Sequence, residues 1–323
     1  MASDTSEKLL PLSDGRVLAY AENGNTQSST VVMFLHGLFG VGRCDRVSAG
    51  LHQFDVHVVN PTLPGFGNSS PSPTDTSYAL SLARVMNELI DHLHPDDPNL
   101  KIYLAGGSYG TVAAQMLYGA PFEVFPHGKH IAACVLLAPL SPPRWHKEYS
   151  KCMTWRDYIG VGPPSQLIPF RLLPRLTSLL VKSVFRSVDK TEAMLTKAFF
   201  DNVSDEEKAR AAQWREEQGL APGQFEREMA ENAMKSFSKT WSGFIEAADV
   251  IHSDWLFKPD ELDEEHSKRP ILIVPSSQDE LGPELAKWLA NNYRNSTLRW
   301  VHGSHIAPAY EIDSIWQSVL AKP

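Results

Sequence analysis

Residues 106–110 read Gly106-Gly107-Ser108-Tyr109-Gly110, a G-x-S-x-G pentapeptide. A serine hydroxyl is a poor nucleophile at neutral pH; it becomes one when a base takes its proton and a carboxylate orients that base. The pentapeptide alone is weak evidence, and its flanks strengthen it. An apolar, strand-like run, residues 101–105, precedes it, and a helical pattern over residues 111–118 follows. So tight a strand-to-helix turn would hold Ser108 in a strained conformation, and bulky side chains at positions 106 and 110 would collide with neighbouring backbone. Ser108 would also stand at a helix N-terminus, where partial positive charge favours a developing anion.

Of the twelve histidines, His305 in Gly303-Ser304-His305 has the best position for the base, between a late strand and the last helix. His302 would end that strand and so be packed or exposed. His92, His94, His127 and His130 lie at helix ends or in loops far from any second signal and read as surface residues. For the carboxylate, Asp279 follows a short strand and precedes Pro283. Its neighbour Glu280 competes, but the shorter Asp side chain gives a stiffer hold on the imidazole. Charge on the substrate oxygen would need two backbone N–H groups. Tyr109 supplies one. The segment His36-Gly37-Leu38-Phe39-Gly40 supplies the other through Leu38, with Gly37 allowing close approach.

The elements that must carry these groups follow from the pattern of apolar residues. Residues 17–21, 31–35, 56–59, 101–105 and 131–138 read as strands, and several are almost continuously apolar, as suits strands covered on both faces. A helix over about residues 77–93 and another after Ser108 alternate with them, which implies a mainly parallel sheet with right-handed crossovers. Pro139, Pro142 and Pro143 then break the pattern. Residues 141–267 show no convincing strand and a helical period. Within them Leu172, Leu173, Leu176, Leu179, Leu180 and Phe185 share one face, flanked by Arg171, Arg175, Lys182 and Arg186. That face reads as packing on the protein, with attachment to a membrane surface as the alternative. Ser204 followed by Glu207 predicts a capping box, and residues 223–252 form a longer periodic stretch. The acidic cluster at residues 260–265 reads as a solvated face. Strand–helix alternation returns with residues 271–274, 284–293, 297–301 and 311–320. One α/β core, residues 1–140 and 268–323, is therefore expected to be interrupted by a helical cap, residues 141–267.

Composition narrows the function classes. With 30 Lys+Arg against 38 Asp+Glu in 323 residues, the net charge is −8, so no basic surplus exists for nucleic-acid binding. Apolar runs are shorter than the ~18–20 residues of a membrane span. The N-terminal MASDTSEK lacks the features of a secretory signal, so a cytoplasmic setting is the default expectation. Cys44, Cys134 and Cys152 form no CxxC pair and give neither a disulfide framework nor a zinc site.

Taken together, these motifs resemble the α/β-hydrolase superfamily over nearly the whole chain. Asp14-Gly15-Arg16-Val17-Leu18-Ala19-Tyr20 resembles the start of many members, and His36-Gly37 their oxyanion loop. Leu63-Pro64-Gly65-Phe66-Gly67-Asn68-Ser69 is similar to their PG-G-S loop, Gly106–Gly110 to the nucleophile elbow, Gln278-Asp279 with Pro283 to the acid loop, and Gly303-Ser304-His305 to the histidine loop. The resemblance implies a mostly parallel sheet flanked by helices, with a cap between the sixth and seventh core strands. It also implies a Ser108–His305–Asp279 triad, a small-molecule substrate, and no metal or organic cofactor. Relatives that are epoxide hydrolases or haloalkane dehalogenases carry an Asp nucleophile, against which Ser108 argues. The Gly-Gly-Ser-Tyr-Gly elbow is similar to that of proline iminopeptidases, which need cap carboxylates to bind a free amine. Of the cap's acids, none can be singled out for that role. The expected activity is hydrolysis of a small-to-medium, partly apolar carboxylic ester through an acyl-enzyme. The alternatives are an aminopeptidase or amidase, an acyltransferase, C–C hydrolase or lyase on the same triad, and a non-catalytic binding module. The cap tryptophans Trp145, Trp155, Trp214, Trp241 and Trp255 would pack helix to helix or line an apolar site.

Overall fold

The computed structural model describes residues 6–321; residues 1–5, the start of the segment read for a secretory signal, lie outside them. Eight strands form one sheet in the order β1-β2-β4-β3-β5-β6-β7-β8. They are β1 (Lys8–Pro11), β2 (Val17–Gly24), β3 (Thr30–Leu35), β4 (His57–Pro61), β5 (Lys101–Gly107), β6 (Ile131–Leu137), β7 (Ile271–Val274) and β8 (Ser296–Leu298). β1 and β2 run antiparallel to their neighbours, and the remaining pairs are parallel. The near-continuous apolar sequence of β3 and β5 has a direct cause. Val31, Met33 and Leu35 enter one core cluster with Ile102 and Leu104, while Val32 and Ala105 enter a second on the other face. Helices cover both faces, so neither set of alternating side chains can be polar.

β1 is a four-residue edge strand of alternately half-buried and exposed residues, closed by Pro11. So short a segment carries little periodic signal. β8 ends at Leu298, earlier than expected. Its pairing nevertheless continues at Arg299 N–H to Ile273 O (2.8 Å) and Val301 N–H to Pro275 O (3.0 Å), which leaves Trp300 facing outward.

Helix α1 (Tyr78–Leu93) starts at Ser77, whose Oγ accepts from Leu80 N–H. Helix α2 (Gly110–Gly119) follows β5 and is buried along its whole length. Between β6 and β7 the chain forms only helices: α3 (Trp155–Gly160), α4 (Pro164–Leu167), α5 (Leu172–Val181), α6 (Val188–Thr196), α7 (Asp205–Glu217), α8 (Gln224–Ser236), α9 (Ser242–His252) and α10 (Glu264–Ser267), with shorter turns between them. Helices α11 (Glu284–Asn292) and α12 (Ile312–Leu320) complete the chain.

Three local expectations are corrected. The periodic stretch over residues 223–252 divides into α8 and α9. At the break Phe237 stacks on Trp241 at 4.1 Å, and Gly243 N–H is taken by Gly65 O (3.0 Å), so tertiary contacts replace helix continuation. Of the apolar face expected over residues 172–185, Phe185 packs in the core and Leu173 is half-buried, but the other leucines of α5 do not pack on the protein. Leu176, Leu179 and Leu180 are 48%, 68% and 78% exposed, and the buried residue is Ser178. His94 is not a surface residue. It is buried, with Nε2 at 2.8 Å from His57 Nδ1, and His57 in turn faces Glu22, which pairs with Lys8.

Candidate active site

The order of strands fixes where a site can form. The chain moves from β3 to β4 in one direction across the sheet and to β5 in the other, so the loops leaving the carboxyl ends of β3 and β5 diverge and open a crevice. Gly37 follows β3 and Ser108 follows β5; a Cβ added to Gly37 would lie 3.7 Å from Ser108 Cβ. The loops after β7 and β8 leave the same edge of the sheet, because all four strands are parallel.

Ser108 has φ +52°, the left-handed region that non-glycine residues seldom occupy. Three hydrogen bonds hold it there: Ser108 N–H to Leu137 O (2.9 Å), and Thr111 N–H and Oγ1 to Ser108 O (2.9 and 2.6 Å). The flanking glycines are dictated by space. A Cβ on Gly106 would run into the Gly110 carbonyl, and one on Gly110 into the Leu35 carbonyl. Residue types at 106 and 110 therefore follow from the sharpness of the turn.

The structure brings Ser108, His305 and Asp279 into one line. His305 Nε2 lies 2.8 Å from Ser108 Oγ, and Nδ1 lies 2.9 and 3.0 Å from the two Asp279 oxygens. A carboxylate accepts only, so Nδ1 carries the proton and Nε2 is left as acceptor for the serine O–H. Asp279 is nearly covered, with 7% of its side chain exposed, and also accepts from Leu281 N–H at 2.9 Å. Burial by itself pushes the His305 imidazole down. The Asp279 charge and hydrogen bond, with smaller contributions from Asp157 and Glu280, outweigh it and raise it above the usual histidine value. The competitors fall away on geometry: Glu280 is exposed, and the half-exposed His302 faces Ser277 Oγ at 3.1 Å.

His36 organises the loop after β3. Its Nδ1–H donates to Gly37 O (2.7 Å), and its Nε2 accepts from Leu63 N–H (2.9 Å). Both nitrogens are satisfied by the neutral ring, and burial pushes its pKa down to about 4. The Leu38 and Tyr109 N–H groups find no hydrogen-bond acceptor among the described residues.

Several supporting residues lie in the helical insertion and were not expected from the sequence. Asn232 Oδ1 accepts from Val41 N–H (3.1 Å), and Ser236 O accepts from Gly67 N–H (2.9 Å). Phe39 joins Phe185, Phe237 and Phe244 in an aromatic cluster. The insertion thus rests on the loops that leave β3 and β4. Of its tryptophans, Trp214 and Trp255 are buried, Trp241 stacks on Phe237, and Trp145 and Trp155 are exposed. Glu207 makes the most consequential contact. Its carboxylate is buried and accepts from Ser304 N–H (2.8 Å) and Ser304 Oγ–H (2.6 Å), one residue before His305. Ser204 Oγ does cap α7 by accepting from Glu207 N–H (3.2 Å). The carboxylate of the expected capping box, however, is turned to Ser304. A depression of about 780 Å³ elsewhere, lined by Asn23, Phe54 and Glu217 among others, includes none of Ser108, Asp279 and His305.

Comparison with known proteins agrees with this architecture. A hydrolase from Pseudomonas aeruginosa PA01 superposes with a TM-score of 0.59 at 16% identity, covering 99% of this chain and 98% of that one. An esterase from Exiguobacterium antarcticum gives 0.57 at 15% identity, covering 98% of each. The enol-lactonase from Burkholderia xenovorans LB400 gives 0.54 at 13% identity, covering 97% and 98%. Likeness at such identities is one of fold. No curated protein matches the chain in sequence. The profile of the alpha/beta hydrolase family, in contrast, matches residues 32–311, through both parts of the sheet and the insertion between them, and the chain belongs to that family of enzymes.

Proposed function

We propose that the protein is a serine hydrolase that cleaves a small-to-medium, partly apolar carboxylic ester through an acyl-enzyme. The observation that carries this is His305 bridging Ser108 at 2.8 Å and Asp279 at 2.9 Å. Ser108 Oγ attacks the ester carbonyl as its proton passes to His305 Nε2. The tetrahedral oxyanion is held by the Leu38 and Tyr109 amides. The alcohol leaves with the proton from Nε2, and water, deprotonated by the same nitrogen, then releases the acid. Asp279 keeps the ring oriented and stabilises its protonated form. Free N–H groups at Leu38 and Tyr109, a Gly37 backbone beside Ser108, and a serine at the positive end of α2 support the assignment. Residues 141–267 act as a cap over residues 1–140 and 268–323, as their hydrogen bonds to the loops at residues 36–43 and 63–69 suggest.

The test combines labelling with turnover. A fluorophosphonate should add to Ser108, read by mass spectrometry of the adduct. Ser108→Ala should lower hydrolysis of a short p-nitrophenyl ester by on the order of 10⁴–10⁶ while leaving the circular dichroism spectrum unchanged. Wild-type turnover by that variant would remove Ser108 from the chemistry.

A further inference from the structure

Large apolar side chains left in water are concentrated in one part of this molecule. Among the described residues, seven of the ten large hydrophobic side chains that stand exposed fall within residues 155–180. Trp155 is 76% exposed and Phe170 83%, alongside Leu167 on α4 and Leu176, Leu179 and Leu180 on α5. These are adjoining elements: α3 packs on α4, and α4 and α5 both pack on α9. The chain turns between α4 and α5 through two successive left-handed residues, Phe170 and Arg171. Phe170 faces water there, while Arg171 reaches Glu246 (2.9 Å) and Asp249 (2.5 Å) on α9. A single exposed leucine is ordinary in a folded protein; seven large apolar side chains exposed on adjoining elements mark a surface that something covers.

The charge around that face identifies what covers it. From residue 158 to residue 188 the chain contains no Asp or Glu and four cations, Arg171, Arg175, Lys182 and Arg186, although its net charge is −8. Glu246 and Asp249, on the supporting helix, are occupied by Arg171. Arg175, Lys182 and Arg186 are exposed and make no ion pair among the described residues. At 100° per residue, Arg175 and Lys182 lie along one border of the arc that carries Leu172, Leu176 and Leu179. Two copies meeting through this face would bring the cations of residues 171–186 together; the one acid in α3, Asp157, is matched in the sequence by Arg156 and leaves no carboxylate to offset them. An anionic surface with an apolar interior satisfies both halves of the pattern. No helix among the described residues is long and apolar enough to cross a membrane, so the fit is to a helix lying in the interface.

We propose that the face formed by α3, α4 and α5 docks on an anionic lipid surface. Leu176, Leu179, Leu180 and Phe170 enter the headgroup–acyl boundary, and Arg175, Lys182 and Arg186 meet lipid phosphates and carboxylates. Neither signal suffices alone, since an apolar patch or a few cations gives weak, reversible attachment and the two together give stable attachment. The docked face borders the candidate active site, because Thr154, at the start of α3, donates its N–H to Glu280 O beside Asp279 (3.2 Å). The attachment does not depend on the catalytic assignment and is tested without substrate.

The experiment is co-sedimentation of the full chain with phosphatidylcholine vesicles, with and without about 30% phosphatidylserine. Partition into the anionic vesicles should exceed that into neutral ones by about a hundredfold, and should collapse as salt rises toward roughly 1 M. Arg175→Gln with Lys182→Gln should lower anionic partition about twenty- to thirtyfold, at roughly fivefold per cation. Leu179→Ser with Leu180→Ser should abolish it. All four side chains are exposed, so melting curves should match the wild type. The glutamine pair alters no apolar residue and remains a test if the serine pair misfolds. Equal partition into both vesicle types, or wild-type binding by a variant with the native melting curve, overturns the proposal. So does a dimer in vesicle-free buffer, seen by light scattering, that Leu179→Ser with Leu180→Ser dissociates, since a second copy would then be the occupant.

Discussion

Ser108 occupies a backbone conformation that costs on the order of 1–3 kcal/mol, and its surroundings hold it there. Its N–H is bonded across to β6, its C=O to Thr111, and no larger residue than glycine fits at 106 or 110. The turn aims Oγ at His305 rather than into the sheet. At the histidine two opposed effects act, burial pushing the imidazole down and the Asp279 charge pushing it up, and Asp279 prevails. The free base works only when Nε2 is unprotonated, so ester kcat/KM should fall toward low pH with a midpoint above the ordinary histidine value of about 6.5. In Asp279→Asn the largest opposing charge is gone, and burial is met only by the smaller contributions of Asp157 and Glu280. That midpoint should therefore move down, and kcat should drop by on the order of 10³–10⁴ because the imidazole tautomer is no longer fixed. Both are read from one pH–rate profile with a p-nitrophenyl ester. An acid limb at the same pH in wild type and variant would show that Asp279 does not set the charge state of His305.

At the scale of elements, the insertion is fastened to the loop that carries His305. Glu207, on the first turn of α7, is the buried acceptor for both donors of Ser304, and Gln278 N–H to Gly303 O (2.9 Å) ties the acid loop to the same segment. Glu207→Ala would leave the Ser304 N–H and O–H unpaired in a covered place, at about 1–3 kcal/mol for each. It would also free the residue adjacent to His305. Misplacement of a catalytic group by about 1 Å costs on the order of 10² in rate. Glu207→Ala should accordingly lower kcat by tenfold or more with KM little changed. Glu207→Gln, which still offers an acceptor oxygen, should recover most of the loss. Steady-state kinetics on the two variants, with melting temperatures beside them, checks this. Equal losses in both variants, or a loss confined to KM, would contradict a positioning role.

For the whole molecule, acid is the condition that should expose buried histidines. His36 bridges Gly37 O and Leu63 N–H, and His57 lies among Glu22, His94 and the strand ends; burial holds both at about 4. Their folded-state values are depressed below the unfolded value of about 6.5. The stability they contribute is therefore complete above that pH and is lost as the pH falls from about 6.5 through about 4. The loss approaches 1.36 kcal/mol per pH unit per histidine, or roughly 3 kcal/mol for each by pH 4. Urea denaturation at a series of pH values should show the decline beginning near 6.5 rather than near the carboxylate range. Replacing His57 with Asn should roughly halve it, leaving the share of His36. A stability that is constant down to pH 5 would rule this out.

The sequence by itself determined the sheet's central strands and the break after Leu140, and it singled out Ser108, Asp279 and His305, the side chains that the structure brings within hydrogen-bond distance, because each is stated locally. Apolar runs covered on two faces leave no polar alternation, and a sharp strand-to-helix turn needs glycine on both sides of the serine. What the tertiary structure alone decided depends on partners distant in the chain. The carboxylate of Glu207 faced a local choice between its own helix terminus and a loop 97 residues away, and packing gave it to the loop. His94 became buried because β4 brought His57 against it. The leucines of α5 have the period of a packed helix, yet period states only that one face is apolar. Which side of α5 meets α9 is set by the turn at Phe170 and Arg171 and by the acids that hold Arg171, and that geometry leaves the leucines in water.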